Sequence, residues 1–101
     1  MNKLPTEEDC EKAGKLVEAI ASAAYPNVRI VRSEIEADWD HDGDPVLWVR
    51  VVVDFPPGEE RLDPSTGAHM RLQVFRELQK TGIDAYAVVT FASYAEMGDA
   101  A

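Results

Sequence analysis

The ten residues VLWVRVVVDF, at 46–55, limit the possible folds more than any other part of this chain. Five of them are valine, and the apolar residues recur with a period of two, so the segment fits an extended strand and not a helix. Leu47, Val49, Val51, Val53 and Phe55 fall on one face. Trp48, Arg50, Val52 and Asp54 fall on the other. The same period runs through the preceding segment, where Ile35, Ala37 and Trp39 alternate with Glu34, Glu36 and Asp38. Between the two lies DWDHDGD, residues 38–44, a short connection rich in turn residues. The pair therefore reads as an antiparallel hairpin with one apolar face that needs covering.

Helical patterns supply the cover. Thr6-Glu7-Glu8-Asp9 carries a reciprocal capping arrangement, with acids placed at the positive end of a helix dipole. Apolar or small residues follow at Cys10, Ala13, Leu16, Val17, Ile20, Ala21 and Ala24, and Pro26 stops the run, so a helix is expected over 7–24. Asp63-Pro64 is an N-cap followed by proline in the first turn, and Gly82 is a C-cap. The helix between them has an apolar stripe at Ala68, Leu72, Phe75 and Leu78, which is the face expected to meet the core. Residues 83–91 read as a third strand, and the chain beyond Ala92 as a frayed tail.

The order helix, strand, strand, helix, strand gives an α+β fold, with a three-stranded mixed sheet and both helices on one face. The crossover from the second strand through the second helix should be right-handed and leave the second and third strands parallel. A length of 101 residues with 46% hydrophobic content is expected to form one domain over 1–101, with 1–5 and 95–101 frayed. The element order resembles, over most of the chain, the type II KH-like topology of ribosome-binding factor A and BolA-like proteins. The glycine pair that clamps nucleic acid in KH domains is missing, since Gly58 and Gly67 are not spaced as GxxG.

Charge restricts the partners. Nineteen Asp and Glu against ten Lys and Arg leave a net charge of -9. Such a surface repels nucleic acid and anionic membranes and attracts basic proteins. Cys10 is the only cysteine, so no intrachain disulfide forms; with no apolar leader at the start, this points to the cytoplasm. Motifs for a nucleophile elbow, a P-loop, a dinucleotide fold and a zinc protease are all absent, so no enzyme is expected and no catalytic residue is assigned.

Two candidate sites remain. Asp38, Asp40, Asp42 and Asp44 with Gly43 resemble the opening of an EF-hand calcium loop, where alternate oxygens converge on one cation. However, Val49 stands where the closing glutamate belongs, and Pro45 and the flanking strands suit an acidic hairpin turn. Calcium is thus the alternative cofactor, and none is the first expectation. The second candidate is the sheet face away from the helices, where Trp48, Val52, Tyr86 and Val88 form an apolar patch rimmed by Arg50. This face is the expected docking site for a basic protein or for a second copy in a homodimer, as in an antitoxin, immunity protein or other small inhibitor.

Overall fold

The computed structural model describes residues 3–56, 58 and 62–96. The elements follow the expected order: α1 (Glu7–Ala24), β1 (Arg29–Trp39), β2 (Pro45–Asp54), α2 (Pro64–Thr81) and β3 (Tyr86–Ser93). Local chemistry sets the helix ends. At α1, Thr6 Oγ1 accepts from Asp9 N at 3.1 Å while Asp9 Oδ2 accepts from Thr6 N at 3.0 Å. At α2, Asp63 accepts from Thr66 N at 3.1 Å, Pro64 opens the first turn, and Gly82 closes the helix at φ 81°, a conformation that favours glycine.

The sheet order is β1-β2-β3, with β1 antiparallel and β3 parallel to the central β2. Both helices lie on one face, α1 over β1 and β2, and α2 against α1 and β3. Leu47, Val49, Val51 and Val53 are buried toward the helices, as their alternation requires. From α1 the core takes Ala13, Val17, Ile20 and Ala21, with Cys10, Leu16 and Ala24 half-buried beside them. Burial pushes the Cys10 thiol above its ordinary pKa, and Asp9 and Glu7 add to the shift, so it packs as a small hydrophobe.

One close approach fixes α1 on β1. A Cβ at Gly14 would lie 3.1 Å from Ser33 Oγ and 3.3 Å from Ile35 Cδ1. Ser33 Oγ in turn donates to Glu18 Oε2 at 2.6 Å, and its contact with the Gly14 carbonyl is 3.3 Å. Nothing in the helical period singles out Gly14 for this contact.

Three expectations need correction. The core-facing stripe of α2 is Gly67, Met70, Val74 and Leu78, whereas Leu72 is 45% and Phe75 49% exposed. A buried leucine contributes about 1.5–3 kcal/mol, so a half-exposed Leu72 contributes clearly less than Leu78. The third strand starts at Tyr86 and not at residue 83, because Ile83 reaches the core from the loop. It also runs on through Ser93, and Tyr94 N donates to Val53 O at 2.8 Å, so the chain is held past Ala92. Residues 1–2 and 97–101, parts of the expected frayed ends, lie outside the described residues.

Candidate functional site

Sheet register determines the layout of the outer face. Side chains on this face align in rows across the strands: Arg29 with Asp54, Arg32 with Val52 and Ala92, Glu34 with Arg50 and Thr90, Glu36 with Trp48 and Val88, and Asp38 with Val46 and Tyr86. No described helix covers this face, because both helices lie on the other. Trp48 is 45% exposed on the middle strand. It borders a shallow depression of about 460 Å³ shared with Val88, Thr90, Glu34, Glu36 and Arg50.

The rows divide the face by charge. Toward Arg29, the cations and acids are paired. Glu34 accepts from Arg50 Nε at 2.7 Å and from Arg32 Nε at 3.0 Å, and Arg29 meets Asp54 at 3.3 Å. Hydrogen bonds from Arg50, and then from Arg32, hold the Glu34 carboxyl below its usual pKa. Toward the β1–β2 turn, Glu36, Asp38, Asp40, Asp42 and Asp44 accumulate against His41 alone. Trp48 thus stands between a neutralised half and an acidic half.

The turn holds itself together through Asp40. Asp40 Oδ1 accepts from the backbone amides of Asp42 and Asp44, each at 2.9 Å. Asp40 Oδ2 accepts from the Tyr86 hydroxyl at 2.7 Å, and Asp40 N donates to Asp44 O at 2.8 Å. Gly43 adopts φ 84°, the left-handed conformation a tight turn uses glycine for. The Asp44 amide, followed by the Tyr86 hydroxyl, draws the Asp40 pKa down, and the same carboxylate raises that of Tyr86. Among the described residues, no three His, Cys, Asp or Glu side chains are grouped as ligands for one metal ion. Asp38 is used locally, accepting from Trp39 N at 2.7 Å. Asp42 lies 3.6 Å from the exposed His41.

The five expected interface residues occupy different settings. Trp48 and Arg50 are exposed as the alternation requires. Val88 is half-buried beside Trp48. Tyr86 is 40% exposed, but its hydroxyl is tied to the turn; the bond carries its side chain over the end of β2, where Val46 is fully buried. Val52 is also fully buried and offers no surface to a partner. It lies in register with Arg32 and two residues from Arg50, and a short side chain is shielded beside such long stems. Alternation identified the face but not these shielded positions.

No local signal in the sequence marks the Asp40–Tyr86 link between hairpin turn and third strand, which joins residues 46 positions apart. Among the described residues, no helix is long and apolar enough to cross a membrane. Compared with protein-family models, curated proteins and solved structures, the chain matches none.

Proposed function

We propose that the chain is a small cytoplasmic protein-binding module, without catalytic activity of its own, that docks a basic partner on the outer face of its sheet. The observation that carries this reading is Trp48, 45% exposed at the centre of an uncovered sheet face. Tryptophan is the residue most often found as an energetic anchor of a protein interface, and a charged rim around it is the usual interface layout. The acidic half beside it supplies the selectivity. Five carboxylates next to an aromatic anchor attract Lys- and Arg-rich surfaces, and the net charge of -9 speeds their encounter at low salt. An inhibitor, immunity or antitoxin protein that masks a basic partner belongs to this class.

The test is affinity capture at low ionic strength with the intact chain and with Trp48→Ala as baits. A basic protein held by the parent chain, released by a salt step and lost by at least ~30-fold in Trp48→Ala is the expected result, about 2 kcal/mol at an anchor position. A partner retained equally by Trp48→Ala places docking elsewhere and refutes the reading. Circular dichroism should show no change of fold, since Trp48 contributes little to the core.

A further inference from the structure

The two edges of the sheet are not equivalent. β1 is guarded by a register irregularity between Ile30 and Arg32 and by charged residues at Arg29, Arg32, Glu34, Glu36 and Asp38. β3 reads YAVVTFAS, with no charge, no proline and no bulge against β2. Tyr94 N bonds Val53 O, so by strand alternation the even-numbered residues of β3 direct their backbone groups to β2. The N–H and C=O groups of Ala87, Val89, Phe91 and Ser93 then point to the edge that no strand among the described residues pairs with. Arg71 Nε donates to one of them, the Val89 carbonyl, at 3.2 Å, and that carbonyl keeps a second lone pair.

Along the same side of the molecule runs the second apolar stripe of α2. Ala68, Leu72 and Phe75, spaced i, i+4 and i+7, are all exposed. Phe75 shares a cleft of about 320 Å³ with Ala85 and Ala87 at the start of β3, which puts the stripe beside the unguarded edge. The chain thus has one apolar stripe for its own core and a second that its own core does not use.

We propose that this surface binds a second copy of the chain, with β3 pairing antiparallel to its counterpart about a two-fold axis and α2 packing against α2. Three observations favour a second copy over another partner. The surface closes on itself, because one two-fold operation pairs the open edge and buries the stripe of both copies. β3 itself carries no acid, so two chains of net charge -9 can pair these edges without opposing carboxylates on the strands, and the cation beside the edge, Arg71, is already bonded to the Val89 carbonyl. The antiparallel arrangement also sets the Asp63 end of each α2 near the Lys80 end of the other, opposite charges on opposed helix dipoles. The strip is about 27 Å long and two layers deep, on the order of 600 Å² per copy, close to the roughly 800 Å² of a standard interface. The product is a continuous six-stranded sheet carrying two Trp48 faces on one side.

The test is the solution mass of the intact chain by light scattering, beside Leu72→Asp/Phe75→Asp and Trp48→Ala, with amide hydrogen exchange on each. The parent chain and Trp48→Ala are expected at twice the chain mass, and the double variant at the chain mass with unchanged circular dichroism. Protection of the Ala87, Val89 and Phe91 amides should fall at least ~10-fold in the double variant. A parent chain that stays monomeric up to ~100 µM overturns the proposal. So does a dimer that survives the double variant, or one lost only in Trp48→Ala, which puts self-association on the outer face. Partner capture by the Trp48 face is read separately and stands or falls without this result.

Discussion

Replacing Gly14 with alanine sets two effects of similar size against each other, and the structure decides the sign. In a helix interior, alanine is favoured over glycine by about 1 kcal/mol. Against this, the new Cβ would stand 3.1 Å from Ser33 Oγ and 3.3 Å from Ile35 Cδ1. The isoleucine methyl ends a flexible side chain and can move. The serine oxygen cannot move freely, since it is held 2.6 Å from Glu18 Oε2. Overpacking of this kind costs about 1–3 kcal/mol, so Gly14→Ala should destabilise the parent chain by about 1 kcal/mol net. In a Ser33→Ala background the 3.1 Å contact is gone, and the same change should stabilise by about 0.5–1 kcal/mol. The difference is a coupling of about 1.5–2 kcal/mol, within the range for residues in contact. Urea unfolding of the four chains, followed by tryptophan fluorescence, measures it, and each 1 kcal/mol moves Tm by about 4–8 °C. If Gly14→Ala stabilises the parent chain, or the coupling is below about 0.5 kcal/mol, the close approach of α1 to β1 does not hold the helix in place.

Acid should weaken the fold through Glu34 and Asp63. Arg50 and Arg32 lower the Glu34 pKa in the folded chain, and Thr66 and Ser65 lower that of Asp63. Their stabilisation is therefore complete above the ordinary carboxylate range and lost as pH falls through and below it. Glu34→Gln should flatten that acid limb in denaturant titrations, and an unchanged limb refutes the assignment. At the alkaline end the sign reverses for Tyr86. Its pKa is raised by Asp40, so the tie to the turn is intact below the ordinary phenol pKa and lost as pH rises through the folded value. An ultraviolet phenolate titration that falls to the ordinary range in Asp40→Asn checks this. Calcium should leave the melting curve unmoved, because both Asp40 oxygens already serve the turn and Tyr86. A rise in Tm of more than about 3 °C in millimolar calcium, absent in Asp40→Asn/Asp42→Asn, restores the cation-binding alternative.

The outer face shows how far strand alternation carries. It assigned Trp48 and Arg50 to the surface and Leu47, Val49, Val51 and Val53 to the core, because one hydrogen-bonded strand puts successive side chains on opposite faces whatever surrounds it. It did not reveal that Val52 and Val46 are fully buried on that same face, because their shielding comes from longer side chains that the sheet sets beside them. Likewise the acids of residues 38–44 were plain in the sequence, but the use of both Asp40 oxygens inside the protein depends on a tyrosine in β3.

On α2 the limit is sharper. Gly67, Met70, Val74 and Leu78 follow helical spacing as well as Ala68, Leu72 and Phe75 do, so periodicity alone cannot say which stripe meets the core. Packing against α1 and β3 chose the first and left the second exposed beside the open edge. The sequence by itself determined the elements and the helix ends, because caps, proline, glycine and alternation act within a few residues, whereas the ends of β3 were set by its pairing with β2. Tertiary structure alone decided that β2 is central, that Gly14 is the contact point for α1, which stripe of α2 is buried, and which edge is left unguarded. Each of those depends on groups far apart in the chain, whose meeting no local pattern encodes.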